Sequence, residues 1–358
     1  MTGQVCARAG FESAPETGSG SSTIMLAGAL SVWNYRRTLE TGSPMFDQPD
    51  TVCDSINSAC KRMEQCRMRI ATWNVNQRRG RETAVDLCRL LDEDLRADVI
   101  TLQEVGWGRD ENYEHELERR GFQWSYARQR NDDRLYGSAI AVRRSVLRTS
   151  PRQRIGSLPL PELVDCVRTT NGITILSVHI PNGAGYGWKK IETWETLIPW
   201  ISRVEGPLVF AGDFNAPGIE TGERTYCFGY DIEWEGERTD ALYKAAHEFG
   251  HARAATMQPR LFERWTFDGV TDTGERWEAA EGWIYDKSRG HGLVDAFRSV
   301  HGYGDSKDAY SHLTGRKTPV RYDHIFLRGL TASSALYRID LLERWSDHAP
   351  LVVEAKLD

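Results

Sequence analysis

The chain has 358 residues, 40% hydrophobic and 27% charged, enough for one large domain or two ordinary ones with a sizeable core. Its formal charge of −6 excludes a generally basic nucleic-acid coat, though not local arginine clusters. No apolar run approaches the ~18 residues of a membrane helix, and TIMLAGALSVW, from Thr23, is short and too weakly flanked by basic residues for a secretory signal. These features predict a cytoplasmic protein with no membrane partner.

Residues 1–67 differ in texture from the rest. ESAPETGSGSST is rich in Ser, Gly, Thr and Pro, and no apolar period persists until Cys53–Arg67, which suits a short polar helix. A mostly disordered leader is expected there, with Met63 or Met68 as an alternative native start. The seven cysteines are scattered and none lies in a C-x-x-C pair, so reduced thiols are expected rather than a disulfide framework or a zinc site.

From Met68 the pattern changes. RIATWNV reads as a buried strand, ETAVDLCRLLDEDL as a helix and ADVITLQEV as a second strand. Further strands are predicted at GSAIAVRR, GITILSVHI, PLVFAGDF, YDHIFLRG and APLVVEAKL, and helices at KKIETWETLIPWISRV and RTDALYKAAHEFGHARAA. Strands outnumber helices and many are apolar on both faces, which predicts two packed sheets covered by helices over residues 68–358.

The predicted strands end on polar residues of a particular kind. Asn74 and Asn76 follow the first, Glu104 the second, and His179 and Asn182 the one at Ile173; Asp213 and Asn215 close VFAGDFNAP. Asp323 is the second residue of the stretch YDHIFLRG, and Asp347 and His348 precede the last strand. Asp213 and Asn215 point to one side if the backbone stays extended, where open α/β sheets keep their ligands, but the same residues suit a turn into NAPG. Glu and His have no particular turn preference, so turns alone account poorly for the whole set. A hard cation such as Mg²⁺ wants carboxylates, amide oxygens and waters, available from Glu104, Asp347 and Asn74 or Asn76. Hydrolysis of a phosphate ester also needs an oriented water, for which Asp213 is the candidate, and donors facing the phosphoryl oxygens, for which Asn215 and His348 are candidates. Asp323 beside a histidine would fix its tautomer and favour its charged form.

RIATWNVN, ITLQEV, YGSAIAV, SVHIPNG, VFAGDFNAP, GLVDAFRSVHG, RYDHIFL and WSDHAPLV stand in the order and spacing of the endonuclease/exonuclease/phosphatase superfamily, and the chain most resembles its exonuclease III-like branch of abasic-site endonucleases. The resemblance covers roughly residues 68–358. It implies a two-sheet α/β sandwich and metal-dependent phosphoester hydrolysis, with Mg²⁺ or Mn²⁺ as cofactor and DNA as substrate. RNA, nucleotides or phospholipid head groups are the alternative substrates. Carried over by position, the metal carboxylate falls on Glu104, the asparagine on Asn74, the water-orienting pair on Asp213 and Asn215, and the closing aspartate and histidine on Asp347 and His348, with Asp323 as the histidine's partner.

Two features depart from the resemblance. His179 stands where abasic-site enzymes carry a tyrosine before the Pro-Asn pair, and the stretch that would hold an abasic sugar reads YSHLTGRKTPVRYD, with Tyr310, His312 and Leu313 as its candidates. Arg78, Arg79, Arg81, Arg128, Arg130 and Arg134 fall in loops near strand ends, where they would grip phosphates or be solvated beside nearby acids. HEFGH, His247 to His251, matches the zinc-protease pattern H-E-x-x-H on a predicted helix, with Glu275, Glu278 and Glu281 as third ligands. The alternative is an exposed helix face.

Overall fold

A computed structural model describes residues 67–76, 81–106, 108, 110–127, 136–217, 219–220, 225–226, 273–303, 309–313 and 319–358. All belong to the unit Asn57–Asp358. The leader expected over 1–67 lies outside the described residues except for Arg67, as does the helix expected at 238–255.

In chain order the strands are β1 (Arg67–Asn74), β2 (Val99–Gly106), β3 (Phe122–Tyr126), β4 (Tyr136–Arg143), β5 (Val164–Arg168), β6 (Thr174–His179) and β7 (Leu208–Asp213). They continue with the two-residue β8 (Ile219–Glu220), β9 (Thr225–Tyr226), β10 (Val294–Asp295), β11 (His312–Leu313) and β12 (Pro319–Val320), then β13 (Asp323–Arg328), β14 (Leu330–Tyr337) and β15 (Leu351–Leu357). Among the described residues the α-helices are α1 (Arg81–Arg89), α2 (Asp110–Arg119), α3 (Gly183–Tyr186), α4 (Lys189–Arg203), α5 (Thr273–Gly282) and α6 (Ala296–His301).

One sheet has the order β14-β15-β1-β2-β4-β3 and the other β10-β13-β7-β6-β5. Each contains one parallel pair, β1 with β2 and β6 with β7, and antiparallel neighbours otherwise. A parallel pair needs a crossover, which α1 supplies in the first sheet and α3 with α4 in the second.

The strands are apolar on both faces because both faces are covered. Between the sheets, Ile70, Val99, Ile140 and Val142 meet Val167, Ile175, Val209 and Ile325 in one buried cluster. On the outer face of the second sheet, Leu176, Val178 and Phe210 pack on Ile191, Trp194, Leu197 and Ile201, whose spacing makes one apolar stripe of α4. Trp73, Ile100 and Leu102 pack likewise on Ala84, Leu87 and Cys88 of α1 and Tyr113 and Leu117 of α2. The layers therefore run helix, sheet, sheet, helix. Each such side chain contributes about 1.5–3 kcal/mol on full burial.

The expected helix over 82–95 is α1 followed by a single π turn, Leu90–Asp94. Among the described residues Cys88 and Cys166 are free and buried, and burial pushes the Cys88 thiol up to about 12.

Candidate active site

The topology brings four strand ends to one edge. Asn74 and Asp213 are the last residues of β1 and β7, His179 the last of β6, and Glu104 lies near the end of β2. Because β13 runs antiparallel to β7, its first residue, Asp323, arrives at the same edge as the register partner of Asp213. β15 runs antiparallel to β1, so Asp347 and His348 arrive beside Asn74. The Trp73 indole N–H donates to the His348 carbonyl (2.8 Å), and Ser346 Oγ donates to the Asn74 carbonyl (2.6 Å).

Backbone conformation aims several of these side chains. Glu104 has φ 53° and sits where the β2–β4 register slips between Leu102 and Val105; Asn76 and Asn215 have φ 45° and 48°. Asparagine tolerates the left-handed region, whereas a glutamate there is strained by about 1 kcal/mol or more. Gly212 (φ 149°) precedes Asp213, and a Cβ on it would stand 1.9 Å from the Val178 carbonyl oxygen, so the approach to Asp213 requires glycine. Below the site the intersheet core turns polar: Gln103 Nε2 donates to Ser177 Oγ (3.2 Å) and Thr72 Oγ1 to Gln103 Oε1 (3.4 Å).

Asp213 is the hub. Its Oδ2 accepts from Asn74 Nδ2 (2.9 Å) and its Oδ1 from the Asn215 N–H (2.8 Å); Asn215 Nδ2 donates to the Ile180 carbonyl (2.9 Å). Asn74 Nδ2 also reaches Glu104 Oε1 (3.3 Å), while its Oδ1 takes the Asn76 N–H (2.9 Å). His348 Nδ1 lies 2.6 Å from Asp323 Oδ2, with its Nε2 3.9 Å from Asp213 Oδ2. Nε2 of buried His179 stands 3.7 Å from Asp213 and 3.9 Å from Glu104; its Nδ1 has no hydrogen-bond partner among the described residues. Asp323 is itself held by its N–H to Ser311 Oγ (3.0 Å) and its carbonyl to the Tyr337 hydroxyl (2.6 Å).

The charges follow from this packing. Burial resists a charged His348, but Asp323 and Asp213 overcome it and raise its pKa to about 10. Burial likewise resists an ionised Asp213, yet His348 and His179 hold it below the usual carboxylate range. Burial raises Asp323, against the opposing pull of His348. At neutral pH the site thus presents an ionised Asp213 beside a protonated histidine.

The expected metal-binding oxygens occupy two flanks of this hub. Glu104 lies with Asn74 and His179, and Asp347, exposed, lies with His312 and His348. Among the described residues, groups of ligand atoms within 4.8 Å of one another are Asp213–Asp323–His348 and His312–Asp347–His348; Glu104 belongs to neither. Hard carboxylate and amide oxygens predominate, the donor chemistry that suits Mg²⁺ or Mn²⁺ rather than a thiolate-bound ion.

His312 of the predicted sugar-holding stretch flanks the site. Its ring lies 4.6 Å from that of His348 and its Nδ1 2.8 Å from the Asp347 carbonyl. Tyr136 covers His179 at 5.7 Å and shares a hydrogen bond with the Tyr186 hydroxyl (2.8 Å). Asn182 is exposed at the head of α3. Arg81 opens α1, whereas Arg78, Arg79, Arg128, Arg130 and Arg134 lie outside the described residues, as does HEFGH. Glu281, read as a third zinc ligand, is instead fully buried in an ion pair with Lys190. The supports Ser311, Ser346, Tyr337 and Lys190 carried no signal in the sequence beyond being polar residues near apolar runs.

Residues 71–348 match the model of the Endonuclease/Exonuclease/phosphatase family. No curated protein matches the chain. Among solved structures, NExo from Neisseria, a 3′ phosphatase bound to a product DNA hairpin, is 23% identical, with TM-score 0.52 over 81% of this chain and 99% of its own. A humanized D. rerio TDP2 is 14% identical, with TM-score 0.51 over 82% and 100%. An AP endonuclease from Archaeoglobus fulgidus is 19% identical, with TM-score 0.50 over 81% and 99%. At these identities the likeness is one of fold.

Proposed function

Because the chain belongs to the Endonuclease/Exonuclease/phosphatase family of metal-dependent hydrolases, we propose that it is a Mg²⁺-dependent phosphodiesterase, an exonuclease III-like nuclease acting on DNA, with the activity carried by residues 68–358. The observation that supports this reading best is the pairing of an ionised Asp213 with a protonated His348 at the edge where the strands of both sheets end. Mn²⁺ would substitute on the same oxygens.

Glu104 and Asp347, with Asn74 or Asn76, would hold the ion, which when bound supplies Lewis-acid polarisation of a phosphoryl oxygen. Asp213 accepts a hydrogen bond from the attacking water and turns its lone pair toward phosphorus. Asn215 fixes the Asp213 carboxylate through its backbone N–H. His348, its ring anchored on Asp323, aims its other N–H at the charge developing on the phosphoryl oxygens, and His179 Nε2 stands ready as a second donor. The water gives its proton to Asp213 as its oxygen bonds to phosphorus, the P–O ester bond breaks, and the leaving oxygen takes a proton from solvent.

A cleavage screen tests the reading: abasic-site duplex, plain duplex, single-stranded RNA and sphingomyelin side by side, each with Mg²⁺, Mn²⁺ or EDTA. Cleavage of one of the DNA substrates that EDTA abolishes is expected. Hydrolysis that survives chelation removes the metal role, and cleavage confined to RNA or lipid removes the DNA assignment.

A further inference from the structure

Directly behind the site lies a buried ion pair that the chemistry above leaves unused. Lys190, in the first turn of α4, is 4% exposed, and its Nζ donates to the Asn215 carbonyl at 2.8 Å. Its ion-pair partner is Glu281 of α5, fully buried. Taking two charges out of water is unfavourable unless their geometry and remaining hydrogen bonds compensate, so such a pair is weak evidence for stability alone.

What the pair touches is the informative part. Asn215 holds a left-handed conformation, its N–H binds Asp213 Oδ1, and its side-chain amide donates to the Ile180 carbonyl and reaches Asp213 Oδ2 at 3.5 Å. The next carbonyl, Ala216, is gripped in turn by the Tyr285 hydroxyl (3.1 Å) and by His324 Nε2 (2.9 Å), the latter one residue beyond Asp323. The segment that carries Glu281 and Tyr285 is itself fastened to α4: Arg276 meets Glu195 through two hydrogen bonds of 2.7 and 2.8 Å and lies over the Trp188 ring. Two successive carbonyls after β7 are therefore held from behind.

We propose that Lys190 and Glu281 are positioning residues: the Lys190 ammonium, oriented by Glu281, fixes the Asn215 carbonyl and so restrains the residue whose N–H holds the Asp213 carboxylate. Neither side chain touches the reacting atoms. The catalytic part of this statement rests on the phosphodiesterase reading; the geometric part does not.

The test has an arm for each part. Hydrogen exchange over residues 208–217 is compared between the full chain and Lys190→Met, and kcat and KM are measured with Mg²⁺ and bis(4-nitrophenyl) phosphate, alone and in an Asp213→Asn background. Lys190→Met is expected to speed exchange at Asn215 and to lower kcat at least tenfold with KM within threefold. In Asp213→Asn it should lower the residual kcat no more than twofold, because the carboxylate that it positions has already been removed. Glu281→Gln should give a smaller loss of the same kind, and Lys190→Arg, which keeps a cationic donor, should recover most of kcat. Unchanged exchange at Asn215, or an equal fold-loss in both backgrounds, overturns the proposal. If Lys190→Met does not fold, Glu281→Gln decides by the same readouts. A wild-type chain that hydrolyses nothing removes the phosphodiesterase reading, and the exchange arm then decides the geometric part.

Discussion

Asp213 and Asp323 are register partners across the antiparallel β7–β13 pair, and the His348 ring reaches both, 2.6 Å from one and 3.9 Å from the other. Two carboxylates buried this close cannot both ionise comfortably without a cation. The ring supplies it, and in exchange the two acids keep the ring charged well above neutral pH.

Asp213→Asn is expected to lower kcat by at least ~10²-fold while KM stays within a few-fold, because the amide keeps the shape but loses the acceptor that orients water. Steady-state kinetics on a cleaved DNA duplex measure it. Wild-type turnover in this variant would mean that VFAGDFNAP ends in a turn and nothing more.

Asp323→Asn and His348→Ala should each damage turnover, and the double variant should be scarcely worse than His348→Ala, since Asp323 acts through the ring it anchors. Additive losses in that cycle would separate the two residues.

Glu104→Gln is expected to weaken Mn²⁺ or Mg²⁺ binding by at least ~10-fold in titration calorimetry with little change in melting temperature, because it removes a charged hard ligand without changing volume. Equal affinity in wild type and variant would place the ion elsewhere.

Asp165 gives a pH-dependent stability prediction. It is fully buried in β5, where burial raises its pKa to about 6 despite Arg152 at 2.8 Å. An acid whose folded pKa is raised binds more protons folded than unfolded between about pH 4 and 6, so its contribution to stability declines as pH rises through that window. Relative to Asp165→Asn, the wild type should lose stability between pH 4 and 6, by an amount on the order of 3 kcal/mol. Denaturant melts of both proteins at the two pH values check the sign, and a constant difference would show that Arg152 neutralises the site fully.

Gly212→Ala should destabilise the fold by more than ~2 kcal/mol in denaturant melts and abolish activity, since its Cβ would overlap the Val178 backbone one residue before Asp213. A variant as stable as the wild type would mean that β6 and β7 separate easily at this point.

Much of this was legible in the sequence because each chemical group abuts an apolar run. RIATWNVN, ITLQEV and VFAGDFNAP place their polar residues at a strand's end, where pattern and chemistry change together. β5 and β14 were missed for the opposite reason. VDCVR interrupts its apolar run with a buried aspartate, and LTASSALY is an edge strand of small residues with a register shift between Ala332 and Ser334. The strain at Glu104 was not legible at all, since the slip that causes it depends on pairing with β4. The pairing of Lys190 with Glu281 was hidden likewise, because only the docking of α5 against α4 brings them together.

Glu104 holds a conformation that glycine would adopt without strain. Selecting variants of this chain for heat resistance alone would therefore favour glycine at this one acidic position beside the reaction centre. The survivors would be sturdier and inert, and that single substitution would mark the boundary between hardening this enzyme and disarming it.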